Sequence, residues 1–217
     1  PDVKFPDIAK TTAGFTGADL ETLLNEAALL AARRNKKLIS QEEIEESLLK
    51  VVMGVEKKSH IITEHDKRLT AYHEAGHAIC FEVLPTQDPV HHVTIIPRSS
   101  GAGGFTMPLP EEDQAYRTKK HTEEYIVVCL GGRGAEKLRM EDISTGAYGD
   151  IKQATQMARA MVTSYGMSDK IGPIDYGSEG GEIFLGRDFA AGKGYSEVKA
   201  AEIDDEIHRI IETAYHQ

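Results

Sequence analysis

The amino-acid sequence predicts a mainly α-helical protein that carries one small β element. Several stretches repeat apolar residues every three or four positions and are flanked by residues that favour helix ends. One stretch, "VHHVTIIPRSSGAGGFTMPLP", instead combines β-branched residues with turn formers, which favours one or two short strands around a glycine-rich turn. With 217 residues and 40% hydrophobic content, the chain is long enough for one domain or two small ones.

The first predicted unit, residues 1–58, is a small helical module. In "FTGADLETLLNEAALLAARRNKK", Thr16 is an N-cap candidate with Asp19 three residues later. Ser40 and Glu43 make a capping box for a second helix, which Gly54 ends. The apolar stripes predicted to be buried are positions 20, 23, 24, 27, 30 and 31 in the first helix and Ile44, Leu48, Val51 and Val52 in the second.

The second predicted unit covers residues 59–217, with its boundary placed in the polar stretch "EKKSHIITEHDK". It opens with a helix over 66–84, because Pro85 forces the residue before it out of the α region. Leu69, Tyr72, Ile79, Cys80 and Val83 are predicted to form the apolar face of this helix. The strands come next, and further helices are predicted over 116–139, 149–165 and 196–214, with an irregular glycine-rich loop and a short hairpin over 172–194.

Composition and charge exclude several classes of function. A formal net charge of −10 would repel a phosphate backbone, so nucleic acid is not an expected partner. The longest apolar runs fall short of the roughly 20 residues that cross a bilayer, so no membrane span is expected, and the N-terminus has no signal-peptide pattern. The two cysteines form no CxxC pair and are predicted to be free, buried thiols in helices. The abrupt start "PDVKFPD" suggests a piece of a longer protein.

The segment "TAYHEAGHAI", residues 70–79, carries the clearest chemical pattern. On a helix, His73 and His77 lie one turn apart on one face, so both imidazoles can bind one zinc ion. Glu74 is offset from the two ligands and faces the position of a zinc-bound water, whose proton it can accept as that water attacks a peptide carbonyl. A surface helix that carries H-E-x-x-H by chance is the alternative interpretation.

A catalytic zinc usually has three protein ligands, and the residues leave the third one open. The metzincin pattern is excluded, because it requires Gly and His where this chain has Cys80 and Val83. Glu136 in "GGRGAEKL" lies on a predicted helix and could hydrogen-bond a ligating histidine, although a solvated surface carboxylate is an equal alternative. His91 and His92 are adjacent in a predicted strand and must face opposite ways, so a ligand role is not expected for them.

Five segments together resemble the protease domain of the FtsH family, the membrane-anchored AAA+ zinc metalloproteases of peptidase family M41. They are "TAYHEAGHAI", "DPVHHVTIIPR", "GGRGAEKL", "STGAYGDIKQATQMARAMV" and "GEIFLGRD". Residues 1–58 resemble the helical lid that ends the family's ATPase domain. The resemblance implies that Asp150, in the "TGAxxDI" pattern, is the third zinc ligand. From the residues alone, Asp150 would be interpreted as an N-cap or first-turn anion of a helix.

The resemblance further implies one Zn²⁺ per chain and an endopeptidase that degrades unfolded or unassembled membrane and soluble proteins. Val93, Thr94, Ile95 and Ile96 would form an edge strand that pairs with an extended substrate, although a fully paired core strand is the alternative. ATP and Mg²⁺ would bind only in the parent protein, since "GRDFAAGKG" departs from the P-loop pattern. The parent would be a homohexamer in the plasma, organellar inner or thylakoid membrane, with this soluble domain on the cytoplasmic, matrix or stromal side.

Two other classes of function compete with a zinc endopeptidase. A noncatalytic assembly subunit that binds zinc structurally should have lost Glu74 or a ligand, whereas this chain retains Glu74, His73, His77 and Asp150. A deformylase-type hydrolase of small substrates would not need the lid-like module of residues 1–58. The sequence therefore favours the endopeptidase.

Overall fold

The structure, a computed structural model, describes residues 2–56, 62–97, 103–110, 116–177 and 195–217. Its described part contains seven α-helices, one 3₁₀ turn and a two-stranded antiparallel sheet, which confirms the mainly α class. Compact packing divides the chain into one unit of Pro1–Glu82 with Asp88–Ala115 and another of Val83–Gln87 with Tyr116–Gln217. The predicted domain boundary near residue 58 lies outside the described residues.

Two of the first three helices start where their capping residues predict. Helix α1 is Phe5–Thr11, α2 is Gly17–Arg33 and α3 is Gln41–Met53. Thr16 and Asp19 form a reciprocal capping box, as do Ser40 and Glu43, and Gly54 ends α3 with a φ of 84° that glycine adopts without strain. The core between α2 and α3 contains Leu23, Ala27, Ile44 and Leu48.

The apolar stripes of this module are narrower than predicted. Leu20 and Leu24 are 38% and 52% exposed, and Val52 is 48% exposed. Two short helices packed on each other can cover only the positions that face the partner helix, so the flanking apolar residues stay at the surface.

Helix α4, Glu64–Val83, contains the H-E-x-x-H pattern. Its predicted apolar face is wrong at two of five positions, since Ile79 and Val83 are 61% and 68% exposed, while Leu69, Tyr72 and Cys80 are half-buried. Three of the five residues that α4 buries are polar, namely His73, Glu74 and His77. The other two are Gly76 and Phe81. Apolar periodicity alone cannot detect a helix whose buried side carries functional groups.

Two strands follow α4 in the same compact unit. Strand β1, Val90–Thr94, pairs antiparallel with β2, Phe105–Pro108, and Val93 lies opposite Thr106. The pairing register shifts between Val90 and His92. His91 is exposed, while His92 is half-buried and stacks on Phe105 with 5.5 Å between ring centroids. The glycine-rich turn that connects the strands lies outside the described residues, except for Gly103 and Gly104.

The other compact unit is built from three helices that pack on one another. They are α5, Lys119–Met140, α6, Tyr148–Thr163, and α7, Glu197–His216, and a 3₁₀ turn, Thr145–Ala147, leads into α6. Their buried apolar residues include Ile126, Met161, Val162 and Ile203. The predicted hairpin over 172–194 falls mostly outside the described residues. Within the described ranges, no helix is long and apolar enough to cross a membrane.

Candidate metal centre

The two histidines of α4 direct the same ring atom at one point. Their Nε2 atoms are 3.0 Å apart, and the rings meet edge to face with 4.7 Å between centroids. Both residues are buried, with 9% of His73 and 8% of His77 exposed. This pairing follows from the i, i+4 spacing on a helix, as the sequence predicts.

The distance between these nitrogens fits a shared metal ion. Two nitrogens that each bind a tetrahedral zinc at about 2.0–2.1 Å lie about 3.3 Å apart, which is close to the 3.0 Å observed. Two imidazoles on one helix face are common zinc ligands. The predicted third ligand, Asp150, belongs to the other compact unit, and its ligand role stays a prediction.

Glu74 follows the first histidine and is 5% exposed. The hydroxyl of Thr106, in β2, lies 2.8 Å from Glu74 Oε2 and 3.1 Å from the carbonyl oxygen of Glu74. Gly104 also lies against this side chain, since a Cβ atom built on it would be 2.9 Å from Glu74 Oε1. Strand β2 therefore contacts the residue that sequence patterns predict as the catalytic base.

Asp150 lies in the first turn of α6 and is half-buried. The turn before this helix is held by Glu136, which is fully buried on α5. Its Oε2 accepts the Ser144 backbone N–H at 2.6 Å, and its Oε1 accepts the Ser144 hydroxyl at 3.0 Å. Ser144 Oγ in turn accepts the Gly146 N–H at 3.1 Å. The contacts of Glu136 thus define the start of the helix that carries Asp150, and its predicted hydrogen bond to a ligating histidine stays a prediction.

Two side chains of α5 lie close enough to Asp150 to interact with its charge. Burial, with the negative charge of Asp150 as a second cause, raises the pKa of Cys129 to about 12. Burial is also the main cause that raises the pKa of Tyr125, whose hydroxyl accepts a hydrogen bond from Gln153 at 2.6 Å. Both α5 side chains are therefore neutral at physiological pH.

The predicted substrate strand is partly present. Val93 and Thr94 belong to β1, whereas Ile95 and Ile96 follow the end of the strand. The Ile96 N–H donates to Thr94 Oγ1 at 3.2 Å, so the chain turns away from regular pairing at this point. In the described sheet, β1 pairs with β2 alone.

Sequence reasoning missed Gly104, Thr106 and Ser144. The signal for Gly104 was the pair of glycines directly before a strand, since glycine there often indicates a close backbone approach. For Ser144, the sequence "STG" was a signal of a hydroxyl that bonds its own turn. Thr106 gave no signal in the sequence.

A helix with two converging imidazoles and an intervening carboxylate is the arrangement found in metallopeptidases of the H-E-x-x-H type. Residues 60–217 match the model of Peptidase family M41, and residues 2–46 match that of the AAA+ lid domain. The chain belongs to peptidase family M41, which confirms the family predicted from the sequence.

Close relatives agree with this assignment. Over 99% of its length, the chain is 61% identical to the ATP-dependent zinc metalloprotease FtsH of Caldicellulosiruptor bescii and 58% identical to the protein of that name from Veillonella parvula. It is 57% identical to the ATP-dependent zinc metalloprotease FtsH 1 of a Thermoanaerobacter species. The chain spans 35%, 33% and 35% of the lengths of these three relatives, respectively.

Proposed function

We propose that this chain is the proteolytic part of an ATP-dependent zinc endopeptidase. The observation that carries the proposal is the buried face of α4, where the Nε2 atoms of His73 and His77 are 3.0 Å apart and Glu74 lies between the two residues in the chain. Asp150, the third ligand that the family resemblance implies, would complete a ligand set of two imidazoles and one carboxylate.

In this proposal, His73, His77 and Asp150 hold one zinc ion. When bound, zinc supplies Lewis acidity that polarises the scissile carbonyl and lowers the pKa of water at the site. The carboxylate of Glu74 accepts the proton that this water loses as its oxygen bonds to the carbonyl carbon. It then delivers a proton to the leaving nitrogen as the C–N bond breaks. Because 95% of Glu74 is shielded from solvent, bulk water competes weakly for this carboxylate.

The substrate in this proposal is an extended polypeptide. Residues Val93 and Thr94 of β1 offer backbone groups on the edge that β2 does not occupy in the described sheet. Pairing through backbone atoms is largely independent of side-chain sequence, which suits the degradation of many unfolded chains.

The rest of the proposal concerns the whole protein. The relatives are called ATP-dependent, and residues 2–46 match an AAA+ lid, so ATP and Mg²⁺ would bind in another part of the parent protein. We propose residues 1–58 as the lid remnant and 59–217 as the protease domain, in a membrane-anchored homohexamer with this part on the cytoplasmic, matrix or stromal side.

The test combines zinc content with proteolysis. In the purified chain, mass spectrometry should find about one zinc per molecule, and Asp150→Ala should lose most of it after equal dialysis. Asp204→Ala, an exposed aspartate on α7 whose side chain is 69% accessible, is the matched control and should keep its zinc. Equal zinc in Asp150→Ala and the control would refute the ligand role of Asp150.

Glu74→Gln should keep zinc and lose hydrolysis of unfolded casein, because the amide cannot accept the proton. The assay is run in the whole protein with ATP as well as in this chain. Proteolysis that survives in Glu74→Gln would remove Glu74 from the role of base. Zinc retention without any wild-type proteolysis in either form would favour a noncatalytic zinc-binding subunit.

A further inference from the structure

Strand β2 and the residue directly before it place Thr106 and Gly104 against the carboxylate of Glu74. Gly104 and Thr106 are two positions apart, so they face the same side of an extended chain, while Phe105 between them stacks on His92. Thr106 Oγ1 is 2.8 Å from Glu74 Oε2. A Cβ atom on Gly104 would lie 2.9 Å from Glu74 Oε1, so that residue is closely packed on the other oxygen.

We propose that Thr106 is a positioning residue for Glu74, with its hydroxyl fixing the rotation of the carboxylate. The proposal rests on the proposed function, in which Glu74 moves the proton. A hydroxyl has one hydrogen to donate, and Glu74 Oε2 at 2.8 Å is nearer to it than the Glu74 carbonyl oxygen at 3.1 Å. The Thr106 hydroxyl therefore donates its hydrogen bond to the Glu74 carboxylate, where it restrains Oε2.

The packing on both sides explains why this restraint is effective. A glutamate has three rotatable side-chain bonds, and a proton acceptor must be held near the reacting atoms within hydrogen-bond distance. Thr106 binds Oε2 while the Gly104 backbone limits the space beside Oε1, so the plane of the carboxylate is defined by Thr106 of β2 and by Gly104 directly before the strand.

Thr106 is also paired with the strand that is predicted to bind the substrate. Thr106 lies opposite Val93 of β1, a residue of the predicted substrate strand. The strand that orients the proposed base is therefore paired directly with the strand that would bind the substrate. A substitution that removes only the hydroxyl should change the rate of the chemical step and leave substrate binding on β1 almost unchanged.

A merely structural role for Thr106 makes a different prediction. Valine has the shape of threonine and an equal preference for strands, so Thr106→Val preserves the strand and removes the donor. Serine keeps the donor and loses the methyl group. If packing alone mattered, Thr106→Ser would be the more damaging of the two variants.

The first experiment measures kcat and KM for unfolded casein with the zinc-loaded chain and with the whole protein. We expect Thr106→Val to lower kcat about tenfold or more with KM and zinc content unchanged, the size of a lost hydrogen bond to a charged group. Thr106→Ser should recover most of the rate. Thr122→Val is the matched control, because it removes a buried hydroxyl that donates to the Thr118 carbonyl at 3.0 Å, and it should keep the wild-type kcat.

The second experiment does not depend on activity. Crystal structures of Thr106→Val and Thr106→Ser should show the Glu74 carboxylate rotated away in the valine variant and retained at about 2.8 Å from Oγ in the serine variant. An unchanged Glu74 in Thr106→Val would overturn the proposal, as would equal rates in the wild type and Thr106→Val. An equal loss of rate in both variants would overturn it too, since the hydroxyl would then be irrelevant.

The two proposals fail in different ways. If Glu74→Gln remains active, the role of Glu74 as the base is wrong, and the positioning by Thr106 has no base to act on. If Glu74→Gln is inactive and Thr106→Val is as active as wild type, Glu74 keeps its role and only the positioning by Thr106 is refuted.

Discussion

Replacing Gly104 by alanine should disturb the contact between β2 and α4 directly. A Cβ atom built at this position would be 2.5 Å from the Thr94 carbonyl oxygen, 2.9 Å from Glu74 Cγ and 2.9 Å from Glu74 Oε1. Contacts this short require the neighbours to move, and one of them is backbone. Overpacking of this kind costs about 1–3 kcal/mol of unfolding free energy, and here the movable neighbour is the proposed base.

The adjacent glycine provides a matched control. In Gly103→Ala, the nearest atom to the new Cβ would be Thr70 Oγ1 at 3.6 Å, an ordinary van der Waals distance. Both substitutions reduce the entropy of the unfolded chain by a similar amount, so this contribution cancels in the comparison. The difference between the two variants therefore isolates the close approach of Gly104 to Glu74 and Thr94.

The assay is urea unfolding followed by circular dichroism, together with the hydrolysis of unfolded casein. We expect Gly104→Ala to be about 1–3 kcal/mol less stable than Gly103→Ala and to lose most of its kcat. If the two variants unfold at the same urea concentration and cleave casein at equal rates, β2 does not pack on Glu74 as described and the reasoning is refuted.

Three further predictions concern other parts of the chain. Ser144→Ala removes a hydroxyl, directly before α6, that donates to the buried carboxylate of Glu136. It should weaken zinc binding about tenfold or more in a competition assay with a chelating dye. Equal zinc affinity in the variant and the wild type would contradict this role of Ser144. Lys36 and neighbouring donors hold the pKa of the Glu43 carboxyl in the folded protein well below its ordinary value of 4.5. The ionised Glu43 therefore stabilises the fold fully above pH 4.5, and this stabilisation is lost as the pH falls through the pKa that Glu43 has in the folded protein. Glu43→Gln should therefore be less stable than the exposed control Glu45→Gln at pH 7, and a stability gap that does not shrink in acid would count against this. Burial raises the pKa of Cys129 to about 12, so iodoacetamide at pH 8 should label it only after unfolding, as measured by mass spectrometry.

Local patterns predicted most of the helices. The capping boxes at Thr16 and Ser40 are present as predicted, because a cap involves residues only three positions apart. Helix α1 was missed, since its seven residues are too few to show a sustained period and none of them is buried. Its one signal was Pro6, which favours the first turn of a helix.

The candidate site could be predicted only as far as local spacing reaches. His73 and His77 are four residues apart, so helix geometry alone brings their nitrogens together. Asp150 came from the resemblance to a family, because its own surroundings favour a helix cap or first-turn anion. Thr106 contacts Glu74 across 32 residues of sequence, and no periodicity encodes such a contact.

The polar buried face of α4 also has a consequence for how the chain is produced in a cell. Burying imidazoles and a carboxylate costs free energy that apolar side chains at the same positions would not. A bound metal offsets this cost by mass action: at a free concentration of about 1,000 times its Kd, it adds about 4.1 kcal/mol to stability. Cells short of zinc would then accumulate less of the folded protein as well as less activity, so metal supply would control the abundance of the enzyme through proteolytic turnover of the metal-free form.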